Sequence, residues 1–348
     1  MSRTHALFRP MSDLIAPMEA LLAEELPHGP GWQYEPKWDG FRCIAVRDGG
    51  EVELWSKSGK PLARYFPEIE AMFGRLKARR FVIDGELLIA SHGAIAFDAL
   101  QLRLHPAASR VAKLAAETPA MFMAFDCLVA GKKMLAGRPL EQRRAALETL
   151  LGSEGEPALL LSPATTDRDD ALGWLKRSGG ALDGVIAKRL DEPYRSGERA
   201  MVKVKQRRTA DCVVGGFRYG RNDKLVASLL LGLYDDAGLL HHVGFTSSIG
   251  AKDRQGWTGE LEKLVEPPGF TGNAPGGPSR WSTERTAEWQ PLRPSLVVEV
   301  LYDQVTAGRF RHGTRLLRRR PDKKPSQCSC DQLAPPLTPD QLEQLMKQ

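Results

Sequence analysis

Cysteine is scarce in this sequence. The five residues Cys43, Cys127, Cys212, Cys328 and Cys330 are odd in number, widely scattered and nowhere spaced as four zinc ligands, which excludes a disulfide framework and a four-cysteine metal module. Reduced thiols in a cytosol fit that pattern best. Long apolar runs are missing as well: Arg3, Arg9, Asp13 and Glu19 interrupt the apolar residues of the first 22 positions, and no segment approaches a bilayer span. Secretion and membrane insertion are therefore not expected. No internal repeat is visible.

What is present is enough for more than one core. With 348 residues, 42% hydrophobic and 26% charged, the chain is expected to form two domains. Forty-nine Lys and Arg against 43 Asp and Glu give a net charge of +6 and a pI near 9.1, a balance that favours a polyanionic partner but also suits an ordinary mildly basic protein.

Up to Arg207, short β-rich runs alternate with amphipathic stretches. The pattern predicts strands over Phe41 to Arg47, Val52 to Trp55, Phe81 to Ala90, Met121 to Val129, Gly184 to Leu190 and Ala200 to Lys205, with helices over Pro67 to Arg80, Leu140 to Leu151 and Arg168 to Arg177. Beyond Arg207 come longer strand candidates, Asp211 to Tyr219, Leu225 to Tyr234, Leu239 to Phe245 and Ser295 to Tyr302. A helix at Asp253 to Val265 and a Pro/Gly-rich segment, Pro267 to Pro278, interrupt them. So many strands in so short a stretch suggest a small barrel, with the OB-fold as the leading candidate. The expected division is a first domain over residues 1–207, a second over 208–331 and a tail over 332–348 with a short helix from Thr338 to Met346.

The sharpest local feature is Glu35-Pro36-Lys37-Trp38-Asp39-Gly40-Phe41-Arg42, read as a turn-like element feeding a strand. An amine nucleophile must be neutral to attack, so a useful lysine needs nearby cations or desolvation to release its proton. Lys203 and Lys205 alternate along one strand face and are candidates for those cations. Taken alone, Lys-x-Asp-Gly leaves an ordinary surface lysine as an equally good reading. Order decides: Ser56-Lys57-Ser58-Gly59-Lys60, Asp84-Gly85-Glu86, Phe125-Asp126, Asp183-Gly184-Val185-Ile186-Ala187-Lys188, the Lys203/Lys205 pair and Arg320-Pro321-Asp322-Lys323 follow in turn.

That ordered series resembles the covalent nucleotidyltransferase superfamily, and closely the short two-domain bacterial ATP-dependent DNA ligases, over Pro17 to Pro325. The resemblance implies an α+β fold, in which a nucleotidyltransferase domain of ATP-grasp-like mixed sheets with helices is followed by an OB-fold β-barrel. It implies an enzyme that seals nicks in double-stranded DNA through lysyl-AMP, with ATP as co-substrate and Mg²⁺ (or Mn²⁺) as metal. It further implies a cytoplasmic, nucleoid-associated monomer serving repair with partner repair proteins, and no membrane.

Carried over by motif, Lys37 is the adenylated nucleophile, Glu35 meets the adenine edge and Arg42 the sugar. Lys57 stands where ligases usually have Arg, losing a bidentate fork. Glu86 holds the ribose hydroxyl or a metal, and Phe125 stacks on the purine. Asp183 stands where the family usually has Glu and binds metal. Lys188, Lys203 and Lys205 surround the α-phosphate, while Arg320, Asp322 and Lys323 close over the pyrophosphate. Arg309 to Lys324 holds eight cations against Asp322 alone, a density suited to phosphate contacts. His241-His242 and Cys328-x-Cys330 receive no function.

A GTP-using RNA-capping enzyme or an RNA ligase shares the lysine and much of the motif order. Trp38 and the Arg-rich closing segment look more like DNA ligases. A noncatalytic OB nucleic-acid-binding protein would not explain nucleophile, carboxylates and lysine pair together. An NAD-dependent ligase is disfavoured because only 36 residues precede Lys37 and no four-cysteine module follows.

Overall fold

Two apolar runs, Phe81 to Ile89 and Ala120 to Val129, become neighbouring central strands of a sheet, because a strand covered on both faces carries apolar residues at most positions. The computed structural model describes residues 16–91, 94–177, 182–221, 223–276, 288–306, 308–333 and 344. They fall into a first unit that ends its main run at Gln206 and a second that begins at Arg207.

In the first unit the strands are β1 (Glu19–Ala23), β2 (Trp32–Trp38), β3 (Phe41–Asp48), β4 (Glu51–Ser56), β5 (Arg80–Ser91), β6 (Ala120–Ala130), β7 (Leu159–Leu161), β8 (Leu182–Arg189) and β9 (Arg199–Val204). One sheet runs β4-β3-β5-β6, with β7 added parallel to β6. The other runs β1-β9-β8-β2. Trp38, Leu182, Val185 and Val204 of the second sheet share a core with Leu88 and Met123 of the first. Helices α1 (Pro67–Arg75) and α4 (Leu140–Gly152) cover the first sheet with Ile69, Met72, Phe73, Leu147 and Leu150, while α2 (Phe97–Arg103) and α3 (Ala108–Glu117) lie between β5 and β6 in sequence. Helix α5 (Arg168–Lys176) packs Trp174 beneath β2.

Several boundaries differ from the sequence reading for physical reasons. The helix expected to reach Arg80 stops at Arg75, where buried Arg47 donates to the carbonyls of Phe73 (2.6 Å), Gly74 (2.8 Å) and Leu76 (2.7 Å). Lys37 lies within strand β2 and not in a turn; the turn is Asp39-Gly40, after it. Pro36 is tolerated there because β2 is an edge strand, paired with β8 on one side and touching Thr165 only at Tyr34 on the other.

In the second unit the main strands are β10 (Arg208–Tyr219), β11 (Val226–Tyr234), β12 (Leu240–Thr246), β13 (Val297–Tyr302) and β14 (Arg315–Arg319), in the order β12-β11-β10-β13-β14. The two ends meet: Thr314 donates its amide to Phe245 O at 3.1 Å and Thr246 Oγ1 donates to Thr314 O at 2.8 Å, closing the sheet into a barrel. Val213, Phe217, Leu229, Leu231 and Val298 fill it, and helix α6 (Arg254–Leu261) caps it with Trp257 and Leu261. All but Gln344 of the expected tail helix, and Gly277 and Pro278 of the Pro/Gly-rich segment, lie outside the described residues. Among the described residues no helix is long and apolar enough to cross a membrane.

Arg47 is the test of this packing. Arg47→Met keeps the apolar stem but leaves the buried carbonyls of Phe73 and Leu76, and the less buried one of Gly74, without their donor, and should cost on the order of 2–4 kcal/mol in urea unfolding with an unchanged denaturant slope. A loss within experimental error would show that the carbonyls find other partners.

Candidate active site

Strand β8 carries one residue too many for its neighbour. Leu182 lies opposite Trp38 and Gly184 opposite Lys37, so Asp183 is the extra residue of a bulge, and a bulge re-aims its side chain. Gly184 makes this possible: its φ is +135°, and a Cβ there would lie 2.0 Å from Val204 O on β9. Asp183 Oδ2 lies 2.6 Å from Lys37 Nζ and 3.0 Å from Lys205 Nζ. One mostly buried carboxylate thus joins the expected nucleophile to one of the expected cations.

Lys203 makes no ion pair among the described residues. Burial, followed by the charges of Lys37, Lys205 and Lys57, lowers its pKa below the usual lysine range. On the other side of Lys37, Gly40 packs so tightly on β5 that a Cβ would lie 2.1 Å from Leu87 O, and its amide donates to Glu86 Oε1 at 3.1 Å. Desolvation pushes the Glu86 carboxyl up to about 8, although Lys37 and Arg42 pull it down.

A cavity of about 1130 Å³ opens over these groups and is lined by Glu35, Lys37, Arg42, Lys57, Glu86, Phe125, Lys188 and Lys203 of the expected set. Asp183 and Lys205 stand beside it through Lys37. Phe125 is flanked by the Arg42 guanidinium at 4.9 Å and Lys188 Nζ at 4.8 Å from its ring centre. Lys188, which lines this cavity, donates to Glu35 Oε2 at 2.8 Å and is nearly buried. Lys57 is exposed and pairs with Glu19 at 3.2 Å.

Sequence reasoning missed the groups that hold these side chains. Asp84, fully buried, accepts from Arg42 Nε (2.8 Å) and Nη2 (2.6 Å) and from Tyr194 Oη (2.7 Å). Gln33 Nε2 donates to Glu35 Oε1 at 2.7 Å. An acid inside an apolar strand was the available signal for Asp84; nothing in the sequence marks Tyr194.

In the barrel, Arg320 and Lys323 meet at a fourth residue, Asp211, and Arg320 also holds Asp322. Arg320 Nη1 donates to Asp211 Oδ1 (2.8 Å) and Lys323 Nζ to Asp211 Oδ2 (2.6 Å), while Arg320 Nη2 donates to Asp322 Oδ2 at 2.9 Å. The Arg320 fork holds the Asp322 carboxyl down at about 2. The basic segment is more paired than its composition suggests: Arg318 meets Glu299, Arg319 meets Glu260 and lies over the Trp257 ring, and Arg311 donates to Gln304. Arg309 donates to His242 Nδ1, whose ring burial and the Arg309 and Arg218 charges push down to about 3.

Similarity to known proteins agrees with this geometry. The family model described as "ATP dependent DNA ligase domain" matches residues 14–205, and that described as "ATP dependent DNA ligase C terminal region" matches residues 222–323. DNA ligase C2 of Mycolicibacterium smegmatis is 46% identical over 94% of this chain and 96% of its own length. A relative named multifunctional non-homologous end joining DNA repair protein LigD, of Mycobacterium tuberculosis, is 31% identical over 85% of this chain and 37% of its own length. A solved Lig E DNA ligase shares the fold with a TM-score of 0.52 at 19% identity, covering 87% of this chain and 99% of that one.

Glu86 gives the site a pH signature. A carboxyl raised from 4.5 to about 8 keeps its proton in the folded state where the unfolded chain has lost it, so its contribution to stability is full below pH 4.5 and is lost as pH rises to about 8. In nucleotide-free, metal-free buffer the difference in unfolding free energy between wild type and Glu86→Gln should change across that window, the wild type losing ground as pH rises. Parallel curves would contradict it.

Proposed function

The chain belongs to the ATP-dependent DNA ligase family, and from that premise we propose how its own residues divide the work of sealing a nick in duplex DNA. Lys37 is the nucleophile. Its Nζ, having shed a proton, attacks the α-phosphorus of ATP; the N–P bond forms as the bond to the bridging oxygen breaks, and pyrophosphate leaves with the electron pair. AMP then passes from Lys37 to the 5′-phosphate of the nick, and the 3′-hydroxyl displaces it. The single observation that carries this assignment is the Lys37–Asp183–Lys205 contact beside a cavity of nucleotide-holding size.

Asp183 orients the Lys37 amine, while Lys203 and Lys205 neutralise the non-bridging oxygens of the α-phosphate as charge shifts at phosphorus. Phe125 stacks on the purine, Glu35 takes the adenine edge with Lys188 fixing its carboxylate, and Arg42, held by Asp84, takes the sugar. Lys57, at the exposed rim, meets the outgoing phosphates. Arg320, Asp322 and Lys323 of the barrel act on the pyrophosphate.

A divalent ion suits the donors present. Glu86 is a desolvated acid that takes up a proton for lack of a stronger cation, Asp183 already gathers two ammonium groups, and two carboxylates completed by water and phosphate oxygens match the hard, oxygen-rich shell of Mg²⁺ (or Mn²⁺). Bound there, the ion would supply positive charge against the phosphate oxygens. We assign the enzyme to repair, as a cytoplasmic, nucleoid-associated monomer working with other repair proteins; the printed name of its end-joining relative supports the repair role.

Separate half-reactions test the assignment. Lys37→Ala should lower transfer of label from α-labelled ATP to protein by more than roughly a thousandfold while retaining joining of a pre-adenylated nick. Asp183→Ala should impair both. Normal self-adenylation by the Lys37 variant would remove the nucleophile from this position.

A further inference from the structure

Two of the barrel's cations converge on a residue that no motif includes. Asp211 lies near the start of β10, four residues after the second unit begins, and its side chain is only 11% exposed. Both its backbone groups are pinned by one side chain: its amide donates to Gln332 Oε1 at 2.9 Å and its carbonyl accepts from Gln332 Nε2 at 3.2 Å. Its carboxylate is therefore a fixed point, and Arg320 and Lys323 are both anchored to it.

The number of carboxylate partners separates the roles of those two cations. The Arg320 guanidinium bridges two carboxylates, with Nη1 on Asp211 and Nε and Nη2 on Asp322. Lys323 spends one of three ammonium hydrogens on Asp211 and has no other side-chain partner among the described residues. Arg320 is a strut between two carboxylates; Lys323 is a cation tethered at one.

We propose that Asp211 is a positioning residue for self-adenylation: it holds Lys323, braced by Arg320, as a pre-oriented cation for the leaving pyrophosphate. The inference rests on the reading that the Arg320, Asp322 and Lys323 group acts on pyrophosphate. A flexible lysine left unanchored would have to be ordered at the moment of reaction, and loss of such orientation is the kind of change that slows a step without removing any reacting group. Glu299, opposite Asp211 on β13, does not duplicate the function, since it is engaged by Arg318 at 2.5 Å and lies 4.0 Å from Arg320.

The test uses the full chain with Asp211→Asn, Asp211→Glu and, for comparison, Lys323→Ala, each checked by thermal melting. Self-adenylation is followed with α-labelled ATP over a range of ATP concentrations, and joining of a pre-adenylated nick is measured separately. Asp211→Asn should slow the maximal rate of self-adenylation by roughly tenfold or more and leave pre-adenylated joining within about twofold of wild type. Asp211→Glu should restore part of the loss, and combining Asp211→Asn with Lys323→Ala should cost little more than Lys323→Ala alone. Equal losses in both half-reactions with a lowered melting temperature would reduce Asp211 to a structural residue and overturn the proposal. Faster self-adenylation by Asp211→Asn would overturn it too, making the carboxylate a restraint. If Lys323→Ala itself self-adenylates normally, it is the pyrophosphate reading that fails; if that variant is slow and Asp211→Asn is not, only the role of Asp211 does.

Discussion

A single carboxylate oxygen shared between two ammonium groups governs the layout of the nucleotide site. Asp183 can hold Lys37 and Lys205 together only because it is the extra residue of a bulge, and the bulge exists only because Gly184 lets β8 press against the carbonyl of Val204. Lys205 lies just past the end of β9 and Lys37 near the end of β2, on opposite sides of β8, so the contact ties three adjacent strands at the same end of their sheet. Two positive charges near one negative charge in a partly desolvated place leave a local excess that a phosphate can complete.

The rest of the cavity repeats that pairing logic with the signs rearranged. Glu35 is fully engaged by Gln33 and Lys188, and Arg42 by Asp84, so the charges at the far end are neutralised within the protein and present shape and hydrogen-bonding edges. Glu86 and Lys203 are the exceptions. Burial without sufficient counter-charge pushes the acid up and the lysine down, and both lie close to Lys37, where charge is to change hands.

Much of the fold could be read from periodicity, because β5, β6 and the barrel strands carry apolar residues at nearly every buried position. Strand β2 could not: Glu35, Pro36 and Lys37 break the alternation, and the partners that bury Glu35 and Pro36 lie far off in sequence, in β8. Motif order brings most of the expected pocket residues to one cavity, but order gives no information about which charged side chains pair. Hence motif order leaves the braces Asp84, Tyr194, Gln33 and Asp211 unmarked. Each brace acts through a contact between residues remote in sequence, apart from Gln33, which is two residues from Glu35. The Arg-rich closing segment misleads in the other direction, since composition counts cations and not the Glu299, Glu260 and Asp211 carboxylates that meet them.

Pro36 has an effect that reaches past the fold. Tyr34 points its amide away from β8 to Thr165, so the residue two places on faces the same side, and there Pro36 has no hydrogen to offer. An exposed strand edge is a template for pairing with any other extended chain. Here the template is interrupted one residue before the lysine. The strand bearing the nucleophile is thereby a poor seed for edge-to-edge association, and a partly unfolded neighbour at high concentration would find no continuous ladder on which to build.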